Sequence, residues 1–263
     1  MRNVKSLKPR HYRAIFISDV HLGFSGCSAQ YLLNFLRSST CEYLYLVGDI
    51  IDIWQMKRRL YWPQLHNDVV RAILGKAKHG TKIIYVPGNH DELLRDFDNI
   101  VFGNLEIRNE YIHTAADGKR FLVIHGDQFD GVVRNSRTLS MVGSMMYEIL
   151  LRANILVSYI RRKMGLSYWS LSNAVKHQVK QAVNFISNYE AALAHAAQKS
   201  DVDGVITGHI HRAEISKINN IIYCNCGDWV ESCTALVEYF DGSIELLHLT
   251  EQKESLKFQK SAA

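Results

Sequence analysis

The stretch "IIYVPGNHDELL", residues 83–94, carries an apolar run directly into a turn that holds polar side chains. Its proline, glycine and asparagine are residue types that suit a sharp reversal of the chain. Turn geometry does not call for the histidine and aspartate that follow, His90 and Asp91. The stretch therefore predicts a buried strand that delivers chemically active side chains at its carboxyl end.

Similar apolar runs, rich in β-branched and aromatic residues, recur along the chain and predict buried strands. The predicted strands are Ala14 to Ile17, Tyr43 to Val47, Lys82 to Val86, Phe121 to Ile124 and Gly204 to Thr207. Between the first three predicted strands, the apolar residues have helical spacing. This predicts a first helix with Ser28 as its N-cap and a second helix over 65–78. Strands that alternate with helices predict an α/β fold. Asp117-Gly118 and Asp241-Gly242 predict hairpins, so the sheets should be mixed.

Each predicted strand ends in a short polar motif. The five motifs are SDVHLG, VGDIID, PGNHDE, HGDQFD and TGHIHR. Loops at the carboxyl ends of strands in an α/β sheet converge on one crevice, so these motifs should form one site. Alternation along an extended chain would place Asp19 beside His21 and His209 beside His211. The candidate metal ligands are Asp19, His21, Asp49, Asn89, His125, His209 and His211.

This ligand set predicts a centre with two metal ions. Seven carboxylate, amide and imidazole ligands are too many for one tetrahedral zinc, but they suit two divalent ions that share a carboxylate. Asp49 is the candidate bridge. Because the set lacks thiolates, it favours manganese (Mn2+) or iron, with zinc and cobalt as alternatives.

The ordered motifs resemble those of the calcineurin-like binuclear metallophosphoesterases, whose pattern is D-x-H, G-D, G-N-H-[DE], H and G-H-x-H. The resemblance implies a metal-dependent phosphoester or pyrophosphate hydrolase, folded as a four-layer sandwich of two mixed β-sheets flanked by helices. It also implies one metal held by Asp19, His21, Asp49 and His211, and another held by Asp49, Asn89, His125 and His209.

The turn that follows the third predicted strand supplies the candidate catalytic residues, His90 and Asp91. We expect His90 to project toward the phosphate, where an imidazole can stabilise charge or protonate the leaving oxygen. We expect Asp91 to orient His90 by accepting a hydrogen bond. Asp52, Asp127 and Asp130 also lie in these motifs, and a structural role in the turns is the alternative for them.

The segment 132–200 differs from the rest of the chain, because it is helical in pattern and strongly basic. It holds nine Lys or Arg and two acids, so its net charge is +7, while the whole chain carries +5. We predict a helical insertion at 132–200 within a core of 1–131 and 201–263. The insertion is either a buried helical subdomain or a lid that contacts lipid through an apolar face and a basic rim. It lacks the uninterrupted apolar run of a transmembrane helix.

The position of this insertion resembles that of the UDP-2,3-diacylglucosamine pyrophosphohydrolases of lipid A synthesis. The resemblance implies cleavage of a nucleotide-linked glycolipid to UMP and 2,3-diacylglucosamine 1-phosphate. Well-known members of that group carry Gly-Asn-Arg-Asp where this chain has Gly-Asn-His-Asp. The candidate substrate contacts are Asn89, Asp130, Arg134, Arg137, Ser172, Asn173 and Lys176.

Other interpretations of the same motifs stay open. A phosphodiesterase, a phosphatase or a nuclease would use the same centre, and a scaffold that binds other proteins is the alternative outside enzymes. Aromatic and basic residues do not alternate as in single-stranded nucleic acid binders, so no nucleic acid partner is expected. Five scattered cysteines and a basic N-terminus without an apolar core favour a cytoplasmic protein, with the cytoplasmic face of the inner membrane as a peripheral site. The oligomeric state is left open.

Overall fold

The computed structural model describes residues 10–131 and 171–250. Its α-helices are α1 (Ala29–Ser38), α2 (Ile53–Arg58), α3 (Gln64–Lys78) and α4 (Leu171–Lys199). Two 3-10 helices span Glu92–Phe97 and Asp127–Gly131. The strands are β1 (Arg10–Ile17), β2 (Ser39–Val47), β3 (Lys82–Val86), β4 (Val101–Phe102), β5 (Leu105–Ile107), β6 (Tyr111–Thr114), β7 (Arg120–Val123), β8 (Gly204–Thr207), β9 (Glu214–Ile218), β10 (Ile221–Asn225), β11 (Thr234–Glu238) and β12 (Ile244–His248).

The strands form two mixed sheets. The order in the larger sheet is β12-β11-β1-β2-β3-β5-β4, and the order in the smaller is β6-β7-β8-β10-β9. β1, β2, β3 and β5 run parallel, as do β7, β8 and β10. Asp117-Gly118 joins antiparallel β6 and β7, and Asp241-Gly242 joins antiparallel β11 and β12. The prediction of an α/β fold with two mixed sheets flanked by helices is confirmed.

The predicted strands and helices match the observed ones to within four residues at each end. β1 and β2 begin earlier than predicted, at Arg10 and Ser39, because their first residues pair across the sheet although they are not apolar. Ser28 precedes α1 as predicted, but its side chain does not cap the helix. Its hydroxyl instead donates to the carbonyl of Val230 at 3.2 Å.

Alternate residues of the central strands face two separate apolar cores. Ala14 and Phe16 of β1 pack between the sheets, whereas Ile15 and Ile17 pack against the layer formed by α1 and α3. Phe16 stacks on Tyr45 with ring centroids 4.6 Å apart. Since both faces of β1 to β3 are buried, their sequences read as continuous apolar runs, as expected for parallel strands covered on both sides.

A buried polar network crosses the core between the sheets. Glu238 of β11 is fully buried and accepts hydrogen bonds from Arg13 Nη1 at 2.7 and 2.8 Å. His113 of β6 donates from Nε2 to the same carboxylate at 2.7 Å. Tyr45 Oη lies 2.7 Å from His113 Nδ1, so its hydroxyl completes the chain. The network ties a strand of the smaller sheet to the larger one.

Replacing Glu238 with glutamine should lower the free energy of unfolding by about 3 kcal/mol, because Arg13 would lose its buried charge partner. The measurement is chemical denaturation of the full chain. Glu42→Gln is the matched control, because Glu42 is exposed on β2 of the same sheet. Equal losses in the two variants would contradict a structural role for the network.

The effect of Glu238→Gln should also depend on pH. Burial opposes ionisation of Glu238, but His113, the Ala116 amide and Arg13 outweigh it and lower the pKa of the carboxyl from its ordinary 4.5. A lowered pKa stabilises the folded state above the ordinary pKa, and this contribution is lost as the pH falls through the folded value. The difference in unfolding free energy between wild type and variant should therefore shrink below about pH 4.5.

The chain divides into two compact units, one formed by Met1–Asp127 with Ala194–Ala263 and the other by Gln128–Leu193. The first unit contains both sheets. The predicted boundaries of the insertion, 132 and 200, stay a prediction, because most of that segment lies outside the described residues. Among the helices that the structure describes, none has the length and apolar character needed to cross a membrane.

Candidate metal centre

The predicted ligands lie at the carboxyl ends of β1, β2, β3, β7 and β8, and contacts join these ends across the two sheets. The amide of His209, after β8, donates to Asp19 Oδ2 at 3.0 Å. His125 Nε2, after β7, lies 3.4 Å from Asp49 Oδ2. Strands of different sheets therefore deliver their polar side chains to one place.

Most of the predicted ligands fall into three groups. Within each group, the ligand atoms lie within 4.8 Å of one another. The groups are Asp19 with His21 and His211, His21 with Asp49 and His90, and Asp19 with Asp49 and His125. Asp19 and Asp49 each belong to two groups. Two carboxylates that are shared in this way suit two adjacent divalent ions.

Two further predicted ligands lie beside these groups. The rings of His209 and His125 have centroids 5.2 Å apart, so the side chain of His209 is close to the third group. Asn89 directly precedes His90 and is buried. The structure thus brings all seven predicted ligands to one end of the first unit.

The backbone at the predicted ligands is unusual. Asp19, His21, Asp49, His209 and His211 have φ values of 50, 53, 53, 70 and 55°. Residues other than glycine rarely adopt this left-handed conformation, and such strain clusters at functional sites. Asp19 and His21 do lie together as predicted, but the predicted reason, alternation along an extended strand, was wrong. β1 has already ended at Ile17, and left-handed turns bring the side chains together.

Buried polar atoms at the site fit a metal. Among the residues that the structure describes, His21 Nε2 and Asn89 Oδ1 are buried without a hydrogen-bond partner. Leaving such a group unsatisfied is costly, so each orphaned atom calls for a ligand. An imidazole nitrogen and an amide oxygen both bind divalent cations. The donor set therefore fits metal ions at this position.

The electrostatics of the site favour cations. Burial opposes ionisation of Asp49, but His125 outweighs it and lowers the pKa of the carboxyl to about 2. Burial acts against protonated His125 as well, yet Asp49 and Asp19 raise the pKa of that imidazole to about 10. Asp19 similarly raises the pKa of His211 to about 9. Because metal binding needs neutral imidazoles, a bound ion would take the place of these protons.

A hydrogen bond to the backbone fixes the orientation of the His125 ring. Its Nδ1 lies 3.0 Å from the Val47 carbonyl, so this nitrogen donates and Nε2 faces Asp49. Gly48 makes this approach possible, because its φ is +77° and a Cβ there would overlap the ring of His125. Gly88 similarly allows Asp49 to approach, since a Cβ at Gly88 would overlap its carboxylate.

His90 is held by Asp52 and Trp54. Its Nδ1 lies 2.9 Å from Asp52 Oδ1, and its Nε2 lies 3.9 Å from Asp49 Oδ2. The ring of Trp54 packs against it at a centroid distance of 4.7 Å. Burial would lower the pKa of His90, but Asp52 and Asp49 outweigh it and raise that pKa. A protonated His90 would thus face the site with Nε2.

The structure places Asp91 differently from the sequence prediction. Asp91 does not accept a hydrogen bond from His90, which turns toward Asp52. Its carboxylate instead accepts from the amides of Ile50 at 2.9 Å and Gly88 at 2.6 Å, and from the Tyr85 hydroxyl at 2.6 Å. The expectation that Asp91 orients His90 is corrected, because Asp91 is fully buried and holds the two loops that carry Asp49 and Asn89.

Asp52, for which the sequence left a structural role in a turn as the alternative, contacts two histidines of the site. It caps α2 by accepting from the Gln55 amide at 2.9 Å, and its other oxygen lies 3.2 Å from His21 Nδ1. One carboxylate therefore contacts both His21 and His90. The signal in the sequence was weak, because an aspartate directly before a helix also reads as a simple N-cap.

The predicted substrate contacts are mostly beyond the structural description. Arg134 and Arg137 lie outside the described residues, and Ser172, Asn173 and Lys176 lie on α4 where side chains are not described. Asp130 is buried in the 3-10 helix Asp127–Gly131. Their roles stay predictions. Asp127 has a structural contact, because Arg95 Nη2 donates to it at 2.6 Å.

Comparison with known proteins is consistent with this geometry. A family model described as calcineurin-like phosphoesterase matches residues 12–213. The UDP-2,3-diacylglucosamine hydrolase of Neisseria meningitidis serogroup A is 26% identical over 223 residues, which cover 82% of this chain and 89% of that protein. A protein of the same name from Psychromonas ingrahamii is 24% identical over 207 residues, which cover 76% of this chain and 81% of that one. A solved archaeal phosphodiesterase aligns with 89% of this chain and 98% of its own, at 13% identity and a TM-score of 0.42.

Proposed function

This chain belongs to the calcineurin-like phosphoesterase family, a family of metal-dependent hydrolases, and on that premise we propose that it hydrolyses UDP-2,3-diacylglucosamine. The products are UMP and 2,3-diacylglucosamine 1-phosphate. The observation that carries the proposal is how much of the chain aligns with proteins named UDP-2,3-diacylglucosamine hydrolase. One of these alignments covers 82% of this chain and 89% of the relative. That share of this chain is larger than the predicted core of 1–131 and 201–263, so the match extends into the predicted insertion.

The proposal assigns two divalent ions, Mn2+ first among the candidates, to the seven predicted ligands. One ion is held by Asp19, His21, Asp49 and His211, and the other by Asp49, Asn89, His125 and His209. When bound, such ions neutralise phosphoryl oxygens and activate the attacking water. The shared position of Asp49 in two ligand groups and the orphaned Asn89 Oδ1 support this assignment.

His90 is proposed to act on the substrate through Nε2. Its Nδ1 proton is held by Asp52 at 2.9 Å, which fixes the ring and leaves Nε2 facing the carboxylates. Although burial opposes it, Asp52 and Asp49 raise the pKa of His90, so the imidazole holds a second proton over a wider pH range than a free histidine. That proton either neutralises charge on the phosphoryl group or passes to the leaving oxygen.

The proposed substrate also suits the composition of segment 132–200. Its net charge of +7 favours a diphosphate and an anionic membrane surface, and its apolar residues favour acyl chains. Arg134, Arg137 and Lys176 are the candidate cations for the diphosphate. The proposal places the protein on the cytoplasmic face of the inner membrane, where a substrate with two acyl chains would reside.

UDP-2,3-diacylglucosamine should be cleaved with a kcat/KM at least about 100-fold higher than that of UDP-N-acetylglucosamine. Burying about four methylene groups contributes about 3 kcal/mol, and remote binding energy of this size can be used at the reacting centre. The measurement is UMP release by the Mn2+-loaded enzyme for both substrates.

Bis(p-nitrophenyl) phosphate serves as the control in that comparison, because its hydrolysis reports an active metal centre without any lipid. Hydrolysis of this diester, together with equal efficiencies for the two nucleotide sugars, would remove the lipid substrate. The metallophosphoesterase itself would stand.

A phosphoesterase that acts on another substrate is the alternative. It is favoured by His90, since the well-known pyrophosphohydrolases of this group carry arginine at the corresponding place. An imidazole can donate a proton to a poor leaving group, whereas a guanidinium stays charged and only neutralises. UMP release from UDP-2,3-diacylglucosamine distinguishes the two proposals.

A further inference from the structure

A cavity lies at the opposite ends of the strands from the metal centre. Its volume is about 690 Å³, and it is lined by residues from the starts of β1, β2 and β3 and from helices α1 and α3. β1 has eight residues, so at about 3.3 Å per residue its two ends are roughly 25 Å apart. The cavity is therefore separate from the site described above.

Basic side chains dominate this cavity. They are His11, Arg37, Arg71, Lys76 and His79, and the cavity contains one acid, Asp68. One oxygen of Asp68 already accepts a hydrogen bond from Gln64 at 3.0 Å. Within the described part of the chain, neither Arg37 nor Arg71 forms an ion pair with an acid. The positive charge of the cavity is thus largely uncompensated.

Lys76 is the most informative of these residues, because its ammonium group is half-buried. It donates to the carbonyl of Ser39 at 2.6 Å, and within residues 10–131 and 171–250 it has no carboxylate partner. Burial lowers the pKa of its amine. An ammonium has three donors, so two of them face the cavity or solvent. Keeping a charge here without an anion is unfavourable.

The walls also supply neutral donors. Thr40 Oγ1 lies 2.8 Å from His11 Nδ1, which places a hydroxyl and an imidazole side by side at the rim. Thr81 adds no donor, because its hydroxyl already donates to the Cys41 carbonyl at 2.8 Å. Arginine forks together with the Thr40–His11 pair match the oxygens of a phosphate group. The volume falls within the range of small-molecule sites.

We propose that this cavity binds a phosphomonoester, with Arg37, Arg71 and Lys76 as the recognising cations. The phosphomonoester belongs either to a small soluble metabolite or to a lipid headgroup. The proposal concerns a second anion site and holds whatever the substrate of the metal centre is.

The test is calorimetric titration of the full-length, Mn2+-loaded protein with UMP. The cavity variant Arg37→Gln/Arg71→Gln should lose one binding event or bind in it at least about 10-fold more weakly, because charge-assisted hydrogen bonds are removed. The control variant Lys78→Gln/Lys217→Gln removes the same charge from exposed positions outside the cavity and should titrate like wild type. Hydrolysis of bis(p-nitrophenyl) phosphate should be equal in all three proteins, since the cavity is remote from the metal centre.

Lys76→Gln provides a second variant, with Lys78→Gln on the same helix as its matched control. Sedimentation with vesicles of phosphatidic acid, against vesicles of phosphatidylcholine, identifies the source of the phosphomonoester. Loss of vesicle binding in the cavity variant assigns the site to a lipid headgroup, and loss of UMP binding assigns it to a soluble metabolite. Titrations and sedimentation that are identical in wild type and both cavity variants would overturn the proposal.

Discussion

Asp49→Ala should abolish hydrolysis and release most of the bound metal. Asp49 lies in two of the three ligand groups. Its loss should therefore remove a ligand from both ions, because the carboxylate is shared. The charge stabilisation that metal ions give to phosphoryl transfer is several kcal/mol, so the rate should fall at least about 10³-fold. The measurement combines the hydrolysis of bis(p-nitrophenyl) phosphate with elemental analysis of the purified variant.

Asp49→Asn separates the metal from the fold in this experiment. An asparagine keeps the oxygen that accepts the His90 amide, a hydrogen bond of 2.8 Å in the structure. The loop should therefore persist while the negative charge is lost. Asp96→Ala is the control, since Asp96 is an exposed aspartate on the 3-10 helix Glu92–Phe97. Full metal occupancy in both Asp49 variants would show that this carboxylate is not a bridge.

The architecture around the site could be predicted from the sequence because the central strands are continuous apolar runs. Lys82 to Val86 is observed with the bounds that the pattern predicts, and so is Gly204 to Thr207. Both faces of such strands are buried, so little in their sequence is ambiguous. The polar motif after each strand then marks the carboxyl edge, which is where sites form in α/β folds.

The finer geometry could not be predicted, because it depends on contacts between distant segments. Asp19 has a left-handed backbone conformation, and its amide donates to the Gly48 carbonyl at 3.1 Å. The motif that contains Asp19 does not include Gly48, so the motif alone does not predict this contact. Contacts between distant segments also explain why His90 is bound by Asp52 and not by Asp91. A carboxylate next to His90 in sequence is drawn into the buried loop amides, and a carboxylate from α2 takes its place.

The basic cavity escaped sequence analysis for a related reason. Arg37 lies in the last turn of one helix, and Arg71 and Lys76 lie on another, so no short motif contains them. Only the parallel pairing of β1 with β2 and of β2 with β3 brings the starts of these elements together. Along the chain, positive charge is instead concentrated in segment 132–200.

His90→Ala should retain the metals and lose about 10² to 10⁴-fold in kcat on a substrate with a poor leaving group. Its Nε2 supplies a proton in the proposal, so the loss should be largest where the leaving oxygen most needs protonation. Substrates with better leaving groups should be less affected. His195→Ala is the control, because His195 is exposed on α4. A poor leaving group that is released at the wild-type rate would reduce His90 to a turn residue.

A double-mutant cycle with Asp52→Asn then tests how His90 is positioned. If Asp52 acts through its 2.9 Å contact with His90, its replacement should slow the wild-type enzyme but add little to His90→Ala, because the group it orients is already gone. Asp52 also contacts His21 at 3.2 Å, so a second role in holding that ligand is separable. That role would appear as metal lost in Asp52→Asn but kept in His90→Ala. Rate effects that multiply independently in the double variant, with metal retained throughout, would show that Asp52 does not work through His90.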